Sequence, residues 1–329
     1  MTIERRFNRL RISVVIPAKK AQATIGQCLR SLETQVRKPD EIIIVIDTPE
    51  DPTFVYVKEL SYKLSLPIRI FLGSEGVGDA RNIGVVVASG DIIAFIDSDE
   101  VANPYWLQYI EKAFIENPEV MIVGGPVIYV ESLDQVLISP PEINKVFSCS
   151  PGHVYNMRMG NMAFKKSVIN VVGNFDPWFK VCHEDTDFIF RLIEHKIKMF
   201  YCENIIVYHI KKKISTLQEI SRAFYIGQHN ARLFVKYPKI ITLKIFYINL
   251  GHVFLITLGA IVVVVTKTLI IPVLIIMPSI IYKIVKTIMK KNLRLMMRQL
   301  TLGYVIDFLF TLGFSAEIIN ILINRLRNA

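Results

Sequence analysis

Between Arg11 and about Tyr208 the chain alternates short β-branched runs with amphipathic stretches. Strands are predicted over residues 12–17 (ISVVIP), 41–47 (EIIIVID), 68–73 (IRIFLG), 91–97 (DIIAFID) and 120–130 (VMIVGGPVIYV). Between them, TIGQCLRSLETQ and FVYVKELSYKL place their apolar residues at helical spacing. This alternation predicts an α/β fold, a Rossmann-like and mostly parallel sheet covered by helices on both faces. Ligands of such sheets bind beyond the carboxyl ends of the strands, where Asp47 and Asp97 stand.

The pattern changes in the second half. Residues 245–266 carry no charge, and roughly 20 apolar residues cross about 30 Å of hydrocarbon. A second apolar segment, 268–285, is broken by Pro272 and Pro278 and runs into Lys283, Lys286, Lys290, Lys291, Arg294 and Arg298. By the positive-inside rule these two segments form a hairpin that crosses and returns. The expectation is a multi-pass cell-membrane protein with its catalytic part on the cytoplasmic face. A third segment, about 300–323, contains Asp307 and Glu317 and has basic residues at both ends. It is expected to lie in the interface, spanning only if those acids pack inward. The predicted organisation is a catalytic domain over 1–214, a connecting amphipathic helix over 215–240 and a membrane region over 241–329.

Composition agrees with a membrane partner: 52% of the 329 residues are hydrophobic and the net charge is +10. Nucleic acid, the other usual partner of a basic chain, is not expected. Zinc-finger spacing and aromatic ribonucleoprotein motifs are missing, and much of the excess charge flanks apolar segments. The basic N-terminus leads directly into a strand and does not read as a signal peptide. Cys28, Cys149, Cys182 and Cys202 form no CxxC pair, so reduced thiols are expected. Cys182, His183, Cys202 and His209 are too scattered to argue for zinc.

Four stretches carry candidate chemistry. In IIAFIDSDE an apolar strand ends in Asp97, Ser98, Asp99 and Glu100. Two carboxylates about 5 Å apart repel by roughly 3 kcal/mol at an effective dielectric near 20. A solvated turn would tolerate that, but side chains alternate along a strand, so Asp97 and Asp99 point the same way and suit a divalent cation. In GVGDARNIG, glycines lead into a helix carrying Arg81, an arrangement that suits a diphosphate or simply a capped surface helix. In GNFDPWFKVCHEDTDF, Glu184 and Asp185 open a helix, either as complements to its dipole or with Asp185 as a general base. Trp178 and His183 can line the same cleft as acceptor contacts with Glu184. His209, in VYHI, ends an apolar strand; such a histidine is usually a core residue, unless an ion on Asp99 recruits it.

The order VVIPAKK, IIIVID, GVGDARNIG, ASGDIIAFIDSDE, VGGP, GNMAFKKS, GNFDPWF, HEDTDFIFRL and VYHI resembles the inverting family 2 glycosyltransferases of the GT-A fold, from about Ser13 to His209. The resemblance implies a UDP- or GDP-sugar donor and Mn²⁺ or Mg²⁺. Pro17, Ala18 and Asp47 match the nucleotide positions, Gly78 and Arg81 the diphosphate side, and Asp97, Ser98 and Asp99 the DxD motif. Gly160 and Asn161 match the loop near the donor sugar, Asp185 the catalytic base, and His209 a late histidine of the metal site. Asp47-Thr48 replaces the Asp-Asp pair often seen in the family, and the QxxRW motif of processive synthases is not found. The expected activity is non-processive transfer to the hydroxyl of a lipid-linked or glycan acceptor. Two alternatives stay open: transfer to a polyprenyl phosphate, as in dolichyl-phosphate-sugar synthases, and a non-catalytic membrane assembly subunit.

Overall fold

Strand β1 (Ile12–Ala18) is buried along its whole length because sheet neighbours flank it and helices cover both its faces. Its side chains alternate between two cores. Ile12, Val14, Ile16 and Ala18 join one apolar cluster and Val15 joins the other. The same division sends Ile42, Ile44 and Ile46 of β2 (Glu41–Ile46) to the first core and Ile43 and Val45 to the second. A strand buried on both faces reads as a continuous apolar run, the pattern of the first half of the chain.

The computed structural model describes residues 9–131, 149–151, 157–180, 182–210, 215–238, 251 and 303–327. They belong to two compact units, Met1–Lys212 and Lys213–Ala329. In the first unit, helices α1 (Ile25–Glu33) and α2 (Pro52–Ser61) follow β1 and β2. Asp51 caps α2 by accepting the Thr53 N–H at 2.9 Å, and Pro52 supplies the helical φ of the first turn. Next come β3 (Ile68–Leu72), α3 (Val77–Val87), β4 (Ile92–Phe95), β5 (Glu100–Ala102) and α4 (Trp106–Glu116). Then follow β6 (Ile122–Gly124), β7 (Val127–Val130), β8 (Cys149–Pro151), β9 (Met162–Lys165) and the single turn α5 (Ile169–Val172). Helix α6 (Glu184–Glu194), β10 (Met199–Cys202) and β11 (Val207–Ile210) complete the unit. The large sheet has the order β3-β2-β1-β4-β9-β6-β10-β8, and a small sheet has the order β5-β11-β7. From β3 to β4 the large sheet is parallel; β9 runs antiparallel to both its neighbours, so the sheet is mixed.

One local expectation changes. The strand expected over 120–130 is two strands in different sheets, because a Cβ on Gly125 would lie 2.1 Å from the Ile205 carbonyl oxygen. The backbone passes so close there that it leaves one sheet and enters the other. After Asp99, Glu100–Ala102 pairs antiparallel with β11 before α4 begins. The thiols also differ from expectation. Cys28 is a buried free thiol, but Cys202 is disulfide-bonded, and the residue opposite it in register is Cys149.

In the second unit, α7 (Thr216–Lys236) starts at a capping box formed by Ser215 and Gln218. It packs on α8 (Gly303–Arg327) where each helix lacks a side chain. A Cβ on Gly227 would sit 2.1 Å from the Phe310 carbonyl oxygen, and one on Gly313 would sit 2.1 Å from that of Phe224. Phe234 packs on Phe314 at 6.2 Å, and Arg232 Nε donates to Glu317 Oε1 at 2.8 Å.

The described residues correct the multi-pass expectation. Among the described residues only one helix, Val305–Arg327, is long and apolar enough to cross a membrane. The expected spans 245–266 and 268–285 lie outside the described residues. The candidate span is the segment expected to lie in the interface. Glu317 argued against crossing in the sequence, but in the fold it is 4% exposed and neutralised by Arg232.

At the start of β2, Glu41 accepts hydrogen bonds from Ser13 Oγ (2.6 Å), Ser89 N–H (2.6 Å) and Arg69 Nη1 (2.7 Å). Burial alone pushes its pKa up, but those donors outweigh burial and bring it down from an ordinary 4.5 to about 2. At about 1.4 kcal/mol per unit, the depressed value represents about 3 kcal/mol of stability. It is fully present above pH 4.5 and lost as the pH falls towards 2. Glu41→Gln is therefore expected to cost about 2–3 kcal/mol at pH 7, and the gap should narrow steadily below pH 4.5. Urea unfolding of the detergent-purified chain at several pH values measures this; a gap that does not change with pH refutes it.

Candidate active site

Helix α3 brings the site together. It begins at Gly76, whose φ of 154° favours glycine and whose Cβ position lies 2.4 Å from the Lys180 carbonyl oxygen. Within the first turn, Gly78 faces Glu184, with its Cβ position 3.3 Å from the Glu184 Cβ. Arg81, on the same buried face, is 3% exposed. Its Nη1 donates to Glu184 Oε1 at 2.5 Å and its Nη2 to Asp97 Oδ1 at 3.0 Å. The guanidinium carbon lies 5.9 Å from the ring centres of both Phe95 and Phe175, within cation–π range. Asn82 exchanges hydrogen bonds with the Phe175 backbone at 2.9 and 2.8 Å, fixing the segment that leads to α6. One arginine therefore joins the acid turn after β4 to the first turn of α6. Burial works against its charge, but Asp97, Glu184 and Asp185 raise its pKa above the ordinary arginine value.

The acid turn is held from below by Glu100. Its Oε2 accepts the Asp97 N–H at 2.9 Å, and the side chain is buried. Burial, with the charges of Asp97 and Asp99, pushes the Glu100 carboxyl well above the usual range. The same oxygen lies 2.3 Å from where a Cβ on Gly160 would be. Asn161 next to it is fully buried. It accepts from Trp106 Nε1 at 2.8 Å and donates to the carbonyls of Pro126 and Ile205 at 2.9 and 2.7 Å. Its amide is engaged by the fold, while Gly160 carries the loop onto the acid turn.

Of the remaining predicted residues, Pro17 and Ala18 are buried at the end of β1. Asp47, at the neighbouring strand end, accepts from Ser74 Oγ at 2.6 Å and pairs with Lys19. Ser98 is half-buried within the acid turn. Asp99 Oδ2 faces His209 Nε2 at 3.7 Å; the other ring nitrogen of His209 is 2.9 Å from the Ile210 carbonyl, and its ring packs on Tyr129 at 5.1 Å. Asp185 is half-buried in the first turn of α6, with Oδ1 accepting from Thr186 N–H at 2.7 Å. Burial raises the pKa of Glu184 beside it, with Arg81 opposing the rise and Asp185 adding to it. His183 adopts a left-handed φ of 71° just before α6. Trp178 packs on Phe179 at 5.7 Å. A cleft of about 320 Å³ opens here, lined by Gly73, Gly76, Gly78, Asp176, Phe179 and Lys180; Asp97, Asp99 and Asp185 are not among its walls.

Sequence reasoning gave no role to Glu100, Tyr129 or Phe175. For Glu100 the available signal was the run of acids itself, since a third carboxyl beside two others needs a separate purpose. Among the described residues no group of three or more His, Cys, Asp or Glu could hold a metal ion. Asp99 and His209 nevertheless face each other as one oxygen and one nitrogen donor, with the histidine tautomer set by a backbone carbonyl on its far side. They suit two positions of a divalent-cation shell.

A parallel β3-β2-β1-β4 half joined to antiparallel strands, with an acid turn after β4, defines a GT-A-like nucleotide-sugar transferase fold. Residues 13–171, just under half of the chain, match the family described as glycosyl transferase family 2. The chain is 23% identical over 176 residues to a glucosyl-dolichyl phosphate glucuronosyltransferase of Haloferax volcanii, covering 51% of this chain and 56% of that protein. It is 25% identical over 190 residues to an uncharacterized glycosyltransferase of Haemophilus influenzae, covering 56% and 62%. The matches thus span less than two thirds of these curated relatives. The crystal structure of GalNAc-T7 with UDP, GalNAc and Mn²⁺ superposes with a TM-score of 0.51 at 15% identity, over 63% of this chain and 44% of that one, a likeness of fold.

Gly160 is not among the glycines with positive φ, and the atoms nearest to an added Cβ all belong to the Glu100 carboxyl. Gly160→Ala is expected to destabilise the unit by about 1–3 kcal/mol through that overlap. Adding Glu100→Ala should recover part of the loss. Thermal unfolding of wild type and the two variants measures it, and a wild-type melting temperature for Gly160→Ala contradicts the packing described.

Proposed function

We propose that the chain transfers a sugar from a nucleotide-diphosphate sugar, with UDP or GDP as the nucleotide, to an acceptor hydroxyl with inversion. The apposition of Asp99 and His209, brought together from β4's end and β11, carries this reading. Asp99 and His209 would hold Mn²⁺ or Mg²⁺, with Asp97 beside them; when bound, such an ion neutralises charge on a departing diphosphate. Pro17, Ala18, Asp47 and Ser98 would line the nucleotide side and Gly160 the donor sugar.

Asp185 would accept the acceptor's hydroxyl proton. The new oxygen–carbon bond forms at the anomeric carbon as the bond to the diphosphate breaks on the opposite face, releasing the nucleoside diphosphate. Trp178 and His183 would border the acceptor, with Glu184 buried behind them and committed to Arg81. A lipid-linked sugar is the acceptor we favour. The apolar helix α8 and the name of the Haloferax volcanii relative, which specifies a glucosyl-dolichyl phosphate, both support that choice.

The test is a panel of UDP- and GDP-sugars with detergent-purified protein, with and without Mn²⁺. One nucleotide should raise the melting temperature only with metal, and Asp99→Ala should lose that effect. Asp185→Asn should lower kcat by about 10²–10⁴-fold with donor KM within about threefold. Full activity in Asp185→Asn would point instead to a phosphate acceptor, which needs no base. The absence of a metal-dependent shift with every nucleotide would remove the donor-site reading and favour an assembly subunit.

A further inference from the structure

Arg81 has the sequence context of a diphosphate ligand, but the fold leaves it little to offer one. The side chain is 3% exposed, both Nη atoms are committed to carboxylates, and Nε is buried with no hydrogen-bond partner among the described residues. Phe95 and Phe175 lie within cation–π distance of the guanidinium carbon. Its two carboxylates belong to segments that are far apart in sequence: Asp97 precedes the metal-facing Asp99 by two residues, and Glu184 precedes the proposed base Asp185 by one.

We infer that Arg81 is a positioning residue that sets the spacing between the metal turn and the base helix, and that it does not bind the diphosphate itself. The inference rests on the transferase reading above. In an in-line displacement the leaving diphosphate and the attacking hydroxyl lie on opposite sides of the anomeric carbon. The turn bearing Asp99 serves the first and the helix bearing Asp185 serves the second. A planar guanidinium with one carboxylate on each Nη fixes the separation of the two as a single rigid piece. Lysine at this position would keep the charge but not the two-sided geometry. Gly78 lets α3 approach α6 closely enough for the bridge to form, since its Cβ position is already 3.3 Å from Glu184.

The experiment compares wild type, Arg81→Lys, Glu184→Gln and the double variant, using UDP and UMP with Mn²⁺ as binding probes and the donor selected by the panel for turnover. Each single variant should bind UDP within about threefold of wild type and lose kcat by about 100-fold, the scale of an ångström-sized misplacement. The double variant should fall no more than about threefold below the worse single one, because either change breaks the same bridge. Arg81 is a diphosphate ligand, and the inference fails, if Arg81→Lys weakens UDP tenfold or more while UMP binding is unchanged, or if the two kcat losses multiply. Should Arg81→Lys not fold, Glu184→Gln decides alone, and an unchanged kcat overturns the inference. A wild type without turnover would defeat the transferase reading separately. The bridge is then judged by urea unfolding followed through Trp106 and Trp178, both in this unit. Effects of the two substitutions on the unfolding constant that multiply refute it, and effects that do not multiply support it.

Discussion

The buried guanidinium of Arg81 is the constraint on which the site depends. Taking a cation out of water costs several kcal/mol, and removing a partner from such a pair leaves a charge that typically costs about 3–5 kcal/mol. The packing around it follows from that cost. Arg81 can reach Asp97 and Glu184 at 3.0 and 2.5 Å only if α3 lies close to both the sheet and α6. Two glycines make this possible. Gly84 leaves α3 against β1, with its Cβ position 2.3 Å from Val15 Cγ1, and Gly78 leaves it against Glu184. Asn82 then holds the Phe175 backbone, so the segment preceding α6 is fixed by the residue that follows Arg81.

The parallel half of the sheet was legible because burial on both faces turns a strand into an unbroken apolar run, as in Ile42–Ile46. The features that escaped depend on residues far away in sequence. The break after Gly124 exists because Gly125 meets Ile205, and the strand at Glu100 exists because β11 returns to pair with it. Asn161 stood in a stretch that resembled a sugar-facing loop, yet its amide bridges Trp106, Pro126 and Ile205. Composition can mark a polar residue as unusual within an apolar context; it cannot say whether protein or substrate satisfies its hydrogen bonds.

The second unit repeats this lesson with charge. Glu317 in an apolar segment reads as a reason not to cross a membrane, because an isolated carboxylate in hydrocarbon is expensive. Its partner Arg232 is 85 residues earlier, on a helix that approaches only because Gly227 and Gly313 lie at the contact. An acid neutralised in this way no longer counts against the span. The apolar residues left exposed on α8, among them Phe308, Leu312, Ile319 and Leu322, are the ones a lipid environment would cover.

The acids of the candidate site form a graded set. Asp97, Asp99, Glu100, Glu184 and Asp185 lie near a single buried arginine, and five full negative charges there would repel strongly. The fold divides them by environment. Glu100 is buried beneath Gly160, which favours its neutral form, while Asp97 and Glu184 share Arg81. Asp99 faces His209, and Asp185 stands in the first turn of α6; both are half-buried. These two are the acids the proposed chemistry needs as carboxylates, one towards a cation and one towards a proton. The run of acids after β4 therefore does not require every member to act on substrate: some of its carboxyls hold the turn in shape so that others can work.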